Sequence, residues 1–426
     1  MTLLQTAIQY DGSSADIELL KYFNLYPEVK IYIDSVGTIQ QGEDYTRLYS
    51  NVYDVSDCAT EPKIKTVLKN NCGQFTCTLI HKDCQTYFKL GDRVRVYLDG
   101  RCWFCGFIFT CDYKSDTSMS IIAFDYLRYF KSPLVYGKNQ LIDDQTKQGL
   151  VASDIFRKIC QDLKIPFDIY TNCTIPITPQ NYTQKSAFNI LDFAITETLI
   201  NSPKDNRKYY TYFHESFFED DFKKDMKEQE VFKTGGKVCW HLRNRLTVDA
   251  VINDDLVYDY EFKTTIDEQT HNEIIVYKDQ KTYLDKNGKT LKKGKKTGTQ
   301  IKKNAPGRQS MARYGYLPYF HKAPDGYSEG QMQQVANELL DILDRPTHSL
   351  SVNCYGIIGM RAGYLVPIAL NEIGGTTIGV KKTNEKTGEI YLQPVYRTVM
   401  ECEMVLQYPL KMNLKISSGM YGAYDL

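Results

Sequence analysis

Between residues 29 and 131 apolar and polar side chains alternate with a period of two. Val29-Lys-Ile-Tyr-Ile-Asp34 does so, as do Phe75, Cys77 and Leu79, then Val94, Val96 and Leu98, then Met119-Ser-Ile-Ile-Ala-Phe124. Turn-forming residues separate these runs at Asn71-Cys-Gly73, Gly91-Asp92 and Asp99-Gly100. That spacing predicts a small antiparallel barrel or sandwich. The period then changes. Residues 153–164 put Ile155, Phe156, Ile159, Cys160 and Leu163 on one helical face behind a Ser153 cap. Residues 187–199 repeat the device with Phe188, Leu191, Ile195 and Leu199 behind Ser186, and Pro166, Pro176 and Pro179 mark the connection.

Strand-like stretches return at Tyr209–Phe213, Arg245–Val248 and Glu273–Tyr277. A third helix is predicted over 329–344, with Ser328 and Gln331 as a capping box and Pro346 as its stop. Alternation resumes in Ser349-Leu-Ser-Val-Asn353 and Val399–Leu406. The order along the chain is therefore β, α, β, a basic stretch, α, β.

Composition sharpens this picture. At roughly 150 residues per domain, 426 residues imply two to four domains. The chain has 33 Tyr and 19 Phe against 2 Trp, which favours pleated, half-buried surfaces. The charge total of zero, from 52 basic and 52 acidic residues, hides a segregation. Residues 278–313 carry 12 basic and 2 acidic residues, so the rest of the chain carries a net −10. A second charged segment, 215–230, holds seven acids and three lysines and reads as a solvated helix or loop. The N-terminus shows no basic region leading into an apolar core, and no apolar run approaches the roughly 18 residues of a membrane span. The expectation is a protein made in the cytoplasm without a signal peptide and without membrane insertion. Asn172-Cys-Thr174 and Asn181-Tyr-Thr183 match the glycosylation pattern but lack a secretory context.

A search for catalytic chemistry leaves no constellation standing. Cys102-Trp-Phe-Cys105 is flanked by strand pattern on both sides; residues three apart in a regular strand point to opposite faces, so the two sulfurs are expected to diverge. Twelve cysteines at irregular spacing form no zinc motif, and the six histidines are isolated. Asp220-Asp221 and Asp254-Asp255 lack a third ligand beside them. Gly288-Lys-Thr-Leu-Lys-Lys-Gly294-Lys-Lys-Thr297 has five residues between its glycines instead of four, and Lys296 where a phosphate-binding loop needs its hydroxyl. The readings are therefore no catalytic residues, no metal and no cofactor. The basic stretch lacks the aromatics that stack on bases, so it suits an acidic protein surface or a lumen better than nucleic acid. Its candidate partner-contact residues are Lys289, Lys292, Lys293, Lys295, Lys296, Lys302, Lys303 and Arg308.

Four collinear patterns resemble a known family. They are Gly91-Asp-Arg-Val-Arg-Val-Tyr97 with Gly106-Phe-Ile-Phe109 and Ile121-Ile-Ala-Phe-Asp-Tyr-Leu-Arg-Tyr-Phe-Lys131; Ala152–Ile165; His271-Asn-Glu-Ile-Ile-Val-Tyr-Lys278 with Ala312-Arg-Tyr-Gly-Tyr-Leu317; and Arg345–Val352 with Gly356 and Met360–Val366. In this order they are similar to the XkdQ/YqbQ-like baseplate hub proteins of contractile phage tails and phage-tail-like bacteriocins. The segment 213–237 departs from the family pattern as a charged insertion, and 380–426 matches poorly.

The resemblance implies an α+β, mainly β fold: two tube-like antiparallel β-barrel domains, a small helical α/β element between them, and a basic β-hairpin or loop. The implied domains are 1–133, the first barrel; 134–240, the α/β element with the insertion; and 241–426, the second barrel with basic loop 278–313 and helix 329–344. Gly91-x-x-Val94-x-Val96 and Gly363-x-x-Val366-x-Ile368 each open a strand-hairpin-strand stretch, which hints independently at two related barrels. The implied function is a non-enzymatic homotrimeric hub adapting a six-fold tail tube to a three-fold central spike. Its implied partners are the tail tube protein, the spike, other baseplate proteins and the tape measure. Its implied residence is the tail particle, virion or bacteriocin, formed in a bacterial cytoplasm and extracellular after lysis. A tail-associated peptidoglycan hydrolase and a nucleic-acid-contacting protein are the alternatives.

Overall fold

The alternating stretches of the first third become seven strands. They are β1 (Val29–Gln41), β2 (Asp44–Asp54), β3 (Ala59–Val67), β4 (Gln74–Ile80), β5 (Arg93–Leu98), β6 (Arg101–Ser115) and β7 (Ser118–Phe124). The computed structural model describes residues 26–41, 44–68, 71–82, 87–115, 117–170, 172–201, 211–216, 237–242, 250–266, 270–281, 296–323, 327–373, 376–384 and 388–417. The predicted strand at 245–248 and most of the 213–237 insertion lie outside these residues.

Next come β8 (Pro133–Tyr136), α1 (Ala152–Asp162), β9 (Phe167–Ile169), β10 (Tyr182–Ser186), α2 (Ala187–Asn201), β11 (Thr211–Ser216) and β12 (Lys237–Leu242). They are followed by β13 (Ile252–Asn253), β14 (Val257–Thr265), β15 (Glu273–Lys281), β16 (Lys296–Pro306), α3 (Arg308–Tyr314), β17 (Pro318–Lys322) and α4 (Glu329–Leu343). The chain ends with β18 (Thr347–Tyr355), β19 (Leu365–Ile373), β20 (Thr376–Ile378), β21 (Val380–Thr383), β22 (Ile390–Gln393), β23 (Val395–Val405) and β24 (Lys411–Ser417). Strand outweighs helix, so the fold is α+β and mainly β.

The strand order duplicates. The first repeat runs β3-β4-β7-β6-β5 and the second runs β14-β18-β24-β23-β19, all antiparallel neighbours. The two glycines singled out in the sequence open equivalent strands. Gly91 (φ 90°) and Gly363 (φ 93°) both take the left-handed conformation that favours glycine. Gly91 N–H donates to Ile108 O and Ile108 N–H to Asp92 O; Gly363 N–H donates to Val399 O and Val399 N–H to Tyr364 O. One residue further on, both long strands carry a bulge, at Ile108/Thr110 and at Val399/Glu401.

The repeats share one sheet because β3 of the first pairs with β23 of the second. Their cores meet there as well. Ile31, Ile33, Phe75, Leu79, Val94, Val96 and Leu98 pack with Met404, Leu406 and Leu410 from the second repeat. Each such large aliphatic or aromatic side chain, fully buried, contributes roughly 1.5–3 kcal/mol. The second repeat has its own core around Ile252, Val352, Cys354, Val366, Ile368 and Leu414.

Insertions make the repeats look different in sequence. β5 and β6 are joined by Asp99-Gly100, both at positive φ (48° and 75°), the backbone a two-residue hairpin requires. Between β19 and β23 the second repeat instead carries β20 and the exposed β21–β22 hairpin. Between β14 and β18 it carries a layer of β16-β15-β17 covered by α4, with a separate core of Ile274, Val276, Val335, Ala336 and Leu339.

Between the repeats, α1 and α2 pack with β12 around Phe130, Phe156, Phe188 and Trp240. Ser186 caps α2 through Asn189 N–H (3.2 Å), and Ser328 with Gln331 forms the capping box of α4. Ser153 does not cap α1. The N-cap is Val151, and Ser153 is buried inside the first turn with its Oγ accepting from Cys173 N–H (3.1 Å). No helix among the described residues is long and apolar enough to cross a membrane.

Candidate assembly site

The internal joint defines what this chain can do with a sheet edge. Its register is Glu401↔Val67, Cys402↔Thr66, Glu403↔Lys65, Met404↔Ile64 and Val405↔Lys63. Leu68 N–H donates to Met400 O and Leu406 N–H to Pro62 O at its two ends. Lys65 Nζ lies 2.6 Å and Lys415 Nζ 3.3 Å from the Glu401 carboxylate. Burial opposes the charge of Glu401, but the two ammonium groups prevail and hold its carboxyl below the usual range. Ala362 N–H donates to Thr66 Oγ1 (2.9 Å), and the Arg361 guanidinium donates to Trp103 O while lying over its ring. Backbone pairing, opposite charges and an apolar contact are thus combined in one edge-to-edge seam.

A buried charge cluster stiffens the first repeat. Asp34 on β1 accepts from Arg93 Nε (2.6 Å), Arg95 Nε (2.9 Å) and Arg95 Nη2 (2.7 Å), and all three side chains are buried. Arg95 lies over the Tyr32 and Tyr97 rings, and its Nη1 donates to the Tyr97 hydroxyl (3.0 Å). Burial disfavours the Arg95 cation, but the hydrogen bond to Asp34 together with the electrostatic pull of Tyr97, Asp34 and Cys105 outweighs it, so its pKa is raised. Burial likewise pushes the Tyr97 hydroxyl up to about 12. Nothing in the alternation of Arg93-Val-Arg-Val-Tyr97 marks the two arginines as buried; only the pairing Asp34↔Arg93 across β1 and β5 does.

The basic stretch forms a hairpin at its base, β15 with β16. Lys289, Lys292, Lys293 and Lys295 lie outside the described residues, and Lys296 begins β16. Lys302 and Arg308 are exposed, whereas Lys303 pairs with Glu329 of α4 at 2.7 Å. At the hairpin's root the Lys278 ammonium donates to Tyr327 O, and the Tyr327 hydroxyl donates to the buried Glu197 carboxylate of α2. Burial raises Glu197, against the smaller lowering by the Tyr327 hydrogen bond.

Asp220-Asp221 and the Gly288–Lys295 part of the glycine-lysine stretch lie outside the described residues. Asp254 accepts from Asn371 N–H (3.1 Å) and Asn371 Nδ2 (2.9 Å), tying β13 to β19. No group of His, Cys, Asp and Glu able to hold a metal occurs among the described residues. Burial pushes Cys72 up to about 11 and Cys402 up to about 12, which suppresses the reactive thiolate. The expected divergence of Cys102 and Cys105 does not occur. A bulge in β6 at Trp103, where Phe104 faces Val96 and Cys102 faces Tyr97, sets Cys102 opposite Tyr97 and Cys105 opposite Arg95, which places both on one face. Cys102 Sγ donates to Phe104 O (3.3 Å).

The chain matches the YQBQ-like family over residues 63–386 and belongs to that family. The fold is shared with two solved tail proteins. One is the 43 kDa tail protein of prophage MuSo2 from Shewanella oneidensis, 9% identical, with a TM-score of 0.52 over 91% of this chain and 98% of that one. The other is a tail protein from Neisseria meningitidis MC58, 11% identical, with a TM-score of 0.50 over 92% and 98%. No curated protein sequence matches the chain.

Proposed function

We propose that this chain is the structural hub of a contractile-tail baseplate, a homotrimer that adapts a six-fold tail tube to a three-fold central spike. The carrying observation is the duplicated five-stranded unit joined through β3 and β23. Three chains supply six such units, which suits a six-fold ring, while everything outside the repeats occurs three times. Membership of the YQBQ-like family and the fold shared with phage tail proteins support this reading. Its partners are the tail tube protein, the spike and neighbouring baseplate proteins, with the tape measure inside, and its residence is the tail particle. The basic hairpin faces an acidic partner surface or a passage along the axis. The protein acts by holding its neighbours, without catalysis. Imaging of isolated tail tips tests this: three copies between a six-fold and a three-fold neighbour are expected. Absence of the protein from tail particles, or clearing of peptidoglycan in a zymogram by the purified chain, would overturn it.

A further inference from the structure

The two repeats differ at one equivalent turn. The first passes from β5 to β6 through Asp99-Gly100 alone, whereas the second inserts β21 and β22 between β19 and β23. Among the described strands these two pair only with each other, as Val380↔Gln393, Lys381↔Leu392, Lys382↔Tyr391 and Thr383↔Ile390. A two-stranded hairpin is marginal in water unless something covers it. Among the described residues nothing does. Every residue of β21 is exposed, and Ile390 and Tyr391 of β22 are 74% and 46% exposed. Facing residues share a side of the hairpin, so Val380, Lys382 and Tyr391 lie on one side and Lys381, Ile390 and Leu392 on the other. Each side sets apolar surface beside a lysine.

The charges here lack counter-charges. Among the described residues no carboxylate forms an ion pair with Lys381, Lys382 or Arg397, the last lying four residues beyond the end of β22. The half-buried Arg397 guanidinium donates to Tyr396 O (3.2 Å). Burial disfavours its cation and lowers its pKa, and no carboxylate offsets this. Elsewhere the chain does pair its lysines: Lys65 and Lys415 with Glu401, at 2.6 and 3.3 Å, and Lys303 with Glu329 at 2.7 Å.

We propose that the β21–β22 hairpin is the docking site for an extended acidic segment of another tail protein, which adds as a third strand along the free edge of β21. Main-chain hydrogen bonds to that edge supply affinity. Carboxylates facing Lys381 and Lys382, with apolar side chains covering Val380, Ile390 and Tyr391, supply selectivity. The partner is acidic because three cations at the hairpin and its root lack a counter-charge. It is extended because β21 offers a row of backbone groups on its outer edge. The insertion is present in one repeat of the two, so each chain carries one such site. The partner's place in a tail rests on the hub reading; the chemistry of the site does not.

Carbodiimide cross-linking tests the contact, because it joins an ammonium to a touching carboxylate without a spacer. In isolated tail tips, mass spectrometry is expected to find Lys381 or Lys382 linked to an Asp or Glu of a different tail protein. The Lys303–Glu329 pair serves as the control within the chain. Lys381→Glu combined with Lys382→Glu alters two exposed positions, so the unfolding midpoint is expected to stay at the wild-type value. In cells making both chains, incorporation of this variant into tails is expected to fall roughly tenfold, since two attractive pairs become repulsive. If the control link forms in tail tips and Lys381 and Lys382 link to nothing, or only to a second copy of this chain, the proposal is overturned and the hub reading stands. Equal incorporation of the variant and the wild type overturns it as well. Co-sedimentation of the purified chain with vesicles of anionic lipid, lost on the same substitutions, assigns the hairpin to a lipid surface and also overturns it. Absence of the protein from tail tips overturns both readings.

Discussion

Asp34 holds two buried guanidinium groups, so its removal is more costly than that of a surface carboxylate. Asp34→Ala is expected to destabilise the protein by about 3–5 kcal/mol, the usual cost of breaking a buried ion pair by removing one partner. Denaturant unfolding measures it, and a loss within the error of the wild-type value would show that the cluster is dispensable. Glu197 makes the opposite kind of contribution. Its folded pKa is raised above the ordinary 4.5 by burial, so the native state binds the proton more tightly than the unfolded chain. Stability from this site is therefore present below about pH 4.5 and falls as pH rises through the shifted value. Glu197→Gln keeps an acceptor for Tyr327 and is expected to remove that fall, seen as a flatter pH profile of the unfolding midpoint. These residues also mark where sequence reading stops. The alternation of Val94, Val96 and Leu98 was legible because one face of a strand is apolar. The burial of Arg93 and Arg95 was not, because their partner comes from a strand 59 and 61 residues earlier in the chain.

At the scale of elements, β6 sits so close to its neighbours that side-chain volume decides its fit. A Cβ at Gly106 would lie 2.4 Å from Phe124 O and 2.6 Å from the Phe104 ring. Gly106→Ala is expected to cost about 1–3 kcal/mol, the range for overpacking a filled interior. It should appear as a lower urea midpoint with an unchanged slope; an unchanged midpoint would show that β6 and β7 can separate freely. The glycine was visible in the sequence, but the approach of Phe124 was not. The same strand shows why the Cys102–Cys105 spacing misled: period-two reasoning holds only for a regular strand, and the extra residue at the bulge resets the faces. Helices were easier to read, because their apolar faces and caps lie within a few residues of each other. α4 starts at its Ser328–Gln331 box as the spacing predicts. α1 differs only at its cap, where Ser153 is drawn inward by the backbone of Cys173.

For the whole molecule, the duplicated sheet was legible only as two short glycine motifs, since insertions of unequal length separate the equivalent strands and little else in their sequences is alike. The charge segregation, by contrast, is a property of the sequence that the fold gives a location. The 278–313 stretch carries +10 against −10 elsewhere, and its described base is the β15–β16 hairpin standing on α4. One of its charges, Lys303, is committed to Glu329, an exposed pair whose attraction water and salt largely screen. Three copies around one axis would concentrate three such stretches, and a field of that kind steers and holds acidic partners. Its reach at physiological salt is about 8 Å, so the effect must weaken as salt is added. Replacing Lys289, Lys292, Lys293 and Lys295 with Gln is therefore expected to leave the protein's stability and oligomeric state unchanged. If the proposed assembly holds, binding of the protein to isolated tail tube or spike is expected to weaken at low salt and lose most of its salt dependence, measured as Kd against ionic strength. A wild-type complex whose Kd does not change with salt, or a variant that keeps the wild-type slope, would remove the basic stretch from the assembly interface and return it to a role in solubility.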